Sequence, residues 1–466
     1  MAESRPLYLG PRLRRLRREL GLTQQAMAQD LAISPSYVAL LERNQRPLTA
    51  DLLLRLAKSY MLDLADFAGE DQADYARRIG DVLRDPIFAD IDPPALEVAD
   101  LATSFPGVSE ALLRLHGAYT REQQALAEQR EVPGGALAHD PVTEARRFAA
   151  ARRNYFPTLD TRAEALAAEI AQKGGPAEWL GAVQGIRVRF LPPEVMAHAL
   201  RRFDRHNQQL LINDTLDSAS RNFQIATHIA YIMMGRDIGA IMKEEGFSGP
   251  TAANLVRRAL ASYGAAALLM PYERFARAVE ARGYDIETLS RLFGTSFEQV
   301  AHRLTTLNKP GMARIPFFFI RVDQAGNVSK RLDGAGFPFA AHGGGCPLWS
   351  VHSVFGTPGE IVTQFLELPD GQRFFSIARA VRAGGGSYGQ AAVTRAIALA
   401  CAAEHAPQLV YAQGVDPREA AAAPIGVTCR LCNRADCAAR AVPPVGRDIL
   451  SDEYRRAPSP FSFDDV

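Results

Sequence analysis

Apolar residues recur at helical spacing through most of the first two thirds of the chain and alternate in much of the last third. Leu13, Leu16 and Leu20 share one helical face, which Gly21 ends. Thr23 can N-cap a short helix that turns Ala26, Met27 and Leu31 inward, and Ser34 a second that turns Val38 and Leu41 inward. Asn44 tolerates a left-handed cap and Pro47 blocks continuation. Leu52, Leu53, Leu56 and Tyr60 form a fourth apolar face. Helices are expected over 96–104 and 109–129, followed by a linker at Pro133-Gly134-Gly135. From 140 to about 307 the pattern is mainly helical, over 221–234, 252–270 and a pair at 286–292 and 296–307. Short strands at 185–191 and 209–213, joined through 200–206, interrupt it as a small β-hairpin. Further strands are expected at 315–322, 328–331 and 372–381, with a turn at 323–327 and a helix over 391–404.

This pattern predicts a multidomain chain. An all-α helix-turn-helix head spans 1–70 and a helical linker or dimerisation region 71–139. A mainly helical middle with its β-hairpin spans 140–308, and an α+β domain 309–466. Composition agrees: 466 residues exceed one ordinary domain, and 47 % apolar with 23 % charged residues describes a globular protein. The longest apolar runs, near 259–270 and 396–403, fall short of a membrane helix. Residues 12–18 are charged where a signal peptide would be apolar, so a soluble, cytoplasmic chain without a membrane partner is expected.

Total charge, 53 basic against 52 acidic residues, says little; its distribution says more. Residues 1–48 carry eight arginines against four acidic residues, a basic head suited to DNA. Two short helices joined by a tight turn place the second in the major groove, its first turn against base edges. The stretch resembles the helix-turn-helix of phage-repressor-like bacterial regulators in Thr23-Gln24, Ala28, Ile33-Ser34, Ser36, Val38, Leu41-Glu42 and Arg46-Pro47. It departs at Ala32 and Asn44, where that pattern usually has glycine. The resemblance implies that Gln24, Arg43 and Arg46 touch phosphate while Ser34, Ser36 and Tyr37 approach bases. Because such heads read paired half-sites, a homodimer or homotetramer is expected.

In the middle, strands followed by a helix beginning Asn222-Phe223-Gln224-Ile225-Ala226 resemble the ImmA/IrrE metallopeptidase domain. Zincin chemistry needs His-Glu-x-x-His on that helix, two imidazoles for the metal and a carboxylate to activate water. Those positions hold Thr227, His228 and Tyr231 here. One histidine outside a ligand slot makes a packed residue, so the domain reads as a non-catalytic scaffold and the chain as no enzyme.

All five cysteines lie beyond residue 345: Cys346, Cys401, Cys429, Cys432 and Cys437. An odd, clustered set argues against a disulfide framework. Cys429, Cys432 and Cys437, spaced C-x2-C-x4-C, can surround one metal centre, with zinc and an iron–sulfur cluster both open. A fourth ligand comes from Cys346, beside Pro347 and after Gly343-Gly344-Gly345, or from Cys401 in an apolar stretch; the loop position favours Cys346. Arg321, Lys330, Arg331 and Arg379, beside Phe318 and its aromatic neighbours, offer cations for phosphates next to an apolar pocket, and Gly384–Gly389 offers backbone donors. The bland reading of these residues is a solvated basic rim on an aromatic core.

Several long motifs, in one order, carry a resemblance over nearly the whole chain. They are Arg321 through Arg331, Cys346-Pro347-Leu348-Trp349-Ser350-Val351-His352, Leu409-Val410-Tyr411-Ala412, and Cys429–Cys437 through Pro443-Pro444. They look like the bacterial short-chain fatty-acyl-responsive transcriptional regulators. The resemblance implies a DNA-binding regulator of propionate, acetate or related acyl-CoA metabolism with an acyl-CoA effector. It also ranks an iron–sulfur cluster, of the 4Fe-4S kind, over zinc. A redox-sensing regulator without small ligand, and a zinc-stabilised regulator, remain as alternatives.

Overall fold

A computed structural model describes residues 13–14, 16–17, 22–43, 45–46, 48–60, 71–88, 91, 93–105, 107–117, 119, 140–197, 199–337, 345–383, 393–447, 449–450, 454, 457, 459 and 461–463. The chain divides into two compact units, Met1–Leu126 and Ala127–Val466.

The first unit is helical: α1 (Gln24–Asp30), α2 (Pro35–Glu42), α3 (Ala50–Tyr60), α4 (Asp71–Leu83) and α5 (Ala95–Ser104), with a further helical stretch over 107–117. Both expected caps are present. The Thr23 hydroxyl accepts from Ala26 N and that of Ser34 from Tyr37 N, with Pro35 pre-set for the first turn. Leu13, Met27, Leu31, Val38, Leu41, Leu52 and Leu56 close one core. The turn between α1 and α2 puts Ala32 at φ 52°, the left-handed region that glycine enters more cheaply. Arg43 is the C-cap of α2; Leu20, Gly21, Asn44, Pro47 and the expected helix beyond 119 lie outside the described residues.

In the second unit, α6 (Pro141–Ala151), α7 (Pro157–Gln172) and α8 (Pro176–Gln184) lead into β1 (Arg187–Leu191), β2 (Arg201–Asp204) and β3 (Gln209–Asn213). The order is β1-β3-β2, with β1 parallel and β2 antiparallel to β3. The hairpin expected between 185–191 and 209–213 does not form, because those strands pair parallel; the hairpin is β2–β3, its first strand lying in the segment expected as a connection. Helices α9 (Ser218–Met233), α10 (Gly235–Lys243) and α11 (Pro250–Leu269) complete this region around Trp179, Leu210, Ile229 and Leu260. Then α12 (Tyr272–Ala281), α13 (Ile286–Phe293) and α14 (Phe297–Leu304) pack on a six-stranded sheet. Its strands are β4 (Phe318–Val322), β5 (Val328–Leu332), β6 (Ile361–Glu367), β7 (Arg373–Ala383), β8 (Val393–Ala402) and β9 (Ala422–Pro424), in the order β5-β4-β8-β7-β6-β9.

Residues 391–404, expected as a helix, contain the inner strand β8. Its alternation explains the difference. Ala396, Ala398 and Ala400 face one core, and Ile397, Leu399 and Cys401 face the other. Burial on both sides removes the polar period that marks a strand, leaving an alanine-rich run that mimics a helix. No packing boundary falls at residue 308, because one core runs from Ala266 in α11 through α14 to Phe375 and Leu399 in the sheet. At that joint Arg303, fully buried, pairs with Asp160 and donates to Met270 O at 3.2 Å, while Tyr263 donates to Asp160. Among the described residues no helix is long and apolar enough to cross a membrane.

Candidate functional site

In the head, α2 shows Ser34, Ser36, Arg43 and Arg46 to solvent at or beside its ends. Ser34 Oγ is engaged by its cap at 3.1 Å, and Tyr37 is half-buried against the core. Gln24 departs from expectation: its amide donates to Glu42 Oε2 at 2.7 Å. Arg17 Nε donates to the same carboxylate, at Oε1, 2.6 Å away. Arg17 and Gln24 together hold the buried Glu42 carboxyl below its ordinary range against the upward push of burial. Gln24 thus braces α1 against α2 through Glu42. Arg17 and Glu42 lie 25 residues apart, so no helical spacing signalled the pair.

On α9, Thr227 donates to Phe223 O at 2.7 Å. His228 packs its ring 4.5 Å from Phe203, and among the described residues its buried Nε2 has no hydrogen-bond partner. Burial first, then the Arg201 cation, lowers its pKa to about 4, so the ring is neutral. Arg201 lies 5.2 Å over the Tyr231 ring and donates to Gln224 O at 3.2 Å. An arginine, two aromatic rings and a hydroxyl fill the place where zincin chemistry needs three metal-directed groups.

The cysteine region is built differently. Cys346, Cys429, Cys432 and Cys437 line one hollow with Gly426 and Arg440. The Cys346 loop is anchored on the sheet: Trp349 Nε1 donates to Ser376 Oγ at 2.8 Å, and Gln364 bonds Ser350 N and Leu348 O at 2.8 and 3.0 Å. Arg440, 4 % exposed, donates to Cys429 O at 3.0 Å and Cys432 O at 3.1 Å, tying the C-x2-C turn together. Burial raises the Cys432 thiol, while the Arg434 backbone N–H and the Arg440 and Arg434 guanidiniums oppose it. Burial likewise raises Cys346, opposed by the N–H groups of Gly426 and Leu348. A Cβ at Gly426 would come within 2.8 Å of Cys432 Sγ, so the cradle requires glycine there. Among the described residues no three His, Cys, Asp or Glu side chains stand together as a ready single-ion site. Four thiols around one hollow, with N–H donors and guanidiniums beside them, are the donor set that a thiolate-bound metal centre requires.

Cys401 is excluded from this set. It lies fully buried on the opposite face of the sheet, its thiol pushed up to about 12 by burial. The expected acyl-CoA residues do not converge either. Arg321 pairs with Glu298 at 2.7 Å and Arg379 with Glu287 at 2.9 Å. Lys330 lies 5.8 Å over Phe319 on that same, helix-covered face. Phe318 points to the other face, among Phe337 and Trp349, and Arg331 is in register with Ile320. Alternation along β4 and β5 separates residues that adjacency in sequence had grouped. Gly343, Gly344 and Gly384–Gly389 lie outside the described residues.

Three family descriptions match in chain order. Residues 9–68 match a helix-turn-helix domain, 182–305 the IrrE N-terminal-like domain, and 306–461 the short-chain fatty acyl coenzyme A regulator C-terminal region. The chain is 38 % identical to the HTH-type transcriptional regulator RamB of Mycobacterium tuberculosis, over 97 % of this chain and 98 % of that one. It is 35 % identical to the propionyl-CoA carboxylase regulator of Cereibacter sphaeroides, covering 98 % and 99 %. It is 36 % identical to PrpR of M. tuberculosis, covering 98 % and 96 %. A solved M. tuberculosis transcriptional regulator superposes with a TM-score of 0.64 at 37 % identity, over 69 % of this chain and 99 % of that one. These relatives are regulators, which agrees with the absence of zincin ligands at Thr227 and Tyr231. The chain belongs to the family of short-chain fatty acyl-coenzyme A regulators.

Proposed function

We propose that this protein is a DNA-binding transcription factor of short-chain acyl-CoA metabolism, propionate or acetate, with an acyl-CoA effector and an iron–sulfur cluster. The observation that carries this reading is the full-length likeness to regulators of that kind, on a chain that keeps both a capped recognition helix and four convergent cysteines. In this reading Ser36 approaches bases from the first turn of α2, and Arg43 and Arg46 meet the phosphates at its end.

Cys346, Cys429, Cys432 and Cys437 would hold the cluster, which when bound supplies a covalent brace and an electron-exchanging centre. The chain's own part is to offset some of the cost that burial puts on a thiolate. At Cys432 the Arg440 and Arg434 guanidiniums oppose the upward push of burial, and Arg440 fixes the turn that presents Cys429 and Cys432. The loop anchored by Trp349 brings Cys346 to them across the sheet edge. The acyl-CoA part rests on the family and not on the five cationic and aromatic residues, which sit on two faces. An effector changes DNA affinity only by binding one arrangement of the protein better than another; a hundredfold change corresponds to about 2.7 kcal/mol of coupling.

The test is anaerobic purification, assay of iron, sulfide and zinc, and operator binding with and without propionyl-CoA. Iron and sulfide in equal amounts, with an affinity that shifts on adding the thioester, are expected. Zinc instead of iron overturns the cluster. An affinity that follows oxidation but ignores every acyl-CoA replaces the ligand sensor by a redox sensor.

A further inference from the structure

The small sheet of the middle region has one face packed and one face charged. Ladder partners share a face, so the register groups Arg189 with Leu211 and Arg202 in one row, and Arg187 with Gln209 and Asp204 in the next. The opposite side, with Val188, Leu210 and Ile212, joins the buried core. Arg187, Arg189 and Arg202 are exposed, as is Arg205 in the turn after β2. Among the described residues none of the four has a carboxylate within ion-pair distance; Arg189 reaches only Gln209 Oε1, at 3.5 Å. Asp204 is engaged by its own turn, accepting from the backbone of His206 and Asn207 and from Asn207 Nδ2. Two arginines of the larger sheet differ: Arg321 and Arg379 are each matched to a glutamate.

We propose that this outer face is a second contact surface for DNA, gripping the phosphate backbone without reading sequence. The inference rests on the DNA-binding reading of the head. Residues 1–48 and 185–208 together hold thirteen of the 53 basic and only six of the 52 acidic residues, so the remainder of the chain is net negative. An anion drawn to the body would meet this sheet face on favourable terms. With strands about 4.8 Å apart, Arg189 and Arg202 stand roughly 10 Å from each other, within reach of several charges of one duplex. Each guanidinium presents a planar fork of donors suited to phosphate oxygens. Contacts too weak to hold free DNA become effective once the head holds the same duplex, because the second encounter is intramolecular.

The experiment uses the full chain and its triple variant R187A/R189A/R202A, with mixed-sequence duplexes of about two helical turns and of about six. Binding is measured over a salt series. On the long duplex the triple variant should lose affinity roughly tenfold or more, and its salt slope should shrink by about 2 to 3. On the short duplex, which offers fewer phosphates, the difference between the two proteins should be smaller. Charge reversal, R187E/R189E/R202E, should deepen the long-duplex loss, and unchanged thermal melting checks that these exposed positions leave the fold intact. Equal slopes for wild type and variant on the long duplex overturn the proposal, even if the response to acyl-CoA changes. So does an equal loss on both lengths. A wild-type chain that binds neither duplex defeats the DNA-binding reading itself, a different result from either.

Discussion

The helix α9 region and the cysteine hollow are two places in one chain where a metal-binding fold would put its ligands, and they have gone opposite ways. At α9, Thr227 and Tyr231 stand where imidazoles would be, Arg201 brings its own cation onto Tyr231, and His228 is sealed against Phe203. Its polar groups are mostly answered from within the protein. At the hollow, four thiols converge, a glycine makes room, and arginines lie beside the sulfurs. That region keeps four sulfurs around one hollow, the donor type that the proposed centre would use. Likeness of fold therefore does not carry chemistry along; the donor set at each position decides it.

The sharpest way to break this contrast is to compare two buried thiols. Cys432→Ser should abolish bound metal, because it removes one of four sulfurs from the hollow. Cys401→Ala should leave metal content unchanged while lowering stability, since it only opens space in the core behind β8. Metal analysis of the two purified variants checks this. Metal retained by Cys432→Ser, or lost from Cys401→Ala, would reverse the assignment of the two cysteines.

Acid should probe the α9 side. The folded His228 has a pKa of about 4, below the ordinary 6.5, so between those values the unfolded chain binds a proton that the folded chain refuses. Stability is complete above pH 6.5 and falls as pH drops towards 4, by about 3 kcal/mol in all for this one group. His228→Leu removes that dependence, and with Nε2 already unpartnered it should cost little at pH 7. Half-buried His302, depressed in the same direction, leaves a residual slope in both proteins. Denaturant melts between pH 4 and 7 measure the difference; identical slopes would place His228 in a solvated setting.

Much of this is legible in the sequence, and the failures share a cause. Caps at Thr23 and Ser34 are local chemistry, and both expected caps are present. The preference for Cys346 over Cys401 rests on a loop between glycine and proline; the structure puts Cys346 at the hollow and Cys401, expected in a helix, inside β8. Misreadings arise wherever a residue's partner is distant in sequence. Strand β8 loses its period through burial on both faces. Arg321, Lys330, Arg379 and Phe318 look like one cluster until the pleat sends Phe318 to the other side. The hydrogen bond from Gln24 to Glu42, 18 residues on, has no signal in local spacing.

Two glycines give the finest test, because crowding is nearly equal at both and the surroundings are not. A methyl group on Gly264 would stand 2.7 Å from Met234 Sδ, and one on Gly426 2.8 Å from Cys432 Sγ. The Met234 thioether sits near the end of a side chain with several soft torsions, and it can swing aside. Alanine is also the better helix former at the interior position in α11, by about 1 kcal/mol. The methyl would also stand 3.2 Å from Ala230 Cβ on α9, so Gly264→Ala should lower the melting temperature modestly and leave metal content unchanged. At Gly426 the added carbon would also meet Cys432 Cβ at 2.9 Å, an atom fixed to the backbone of a turn that Arg440 clamps. Relief there requires the turn itself to move, at a cost of about 1–3 kcal/mol, and it displaces a sulfur from the set of four. Gly426→Ala should lower both melting temperature and metal content. A Gly426→Ala protein that melts and binds metal like the wild type would show that the hollow tolerates displacement of Cys432, and the contrast between a sealed site and a receptive one would lose its geometric basis.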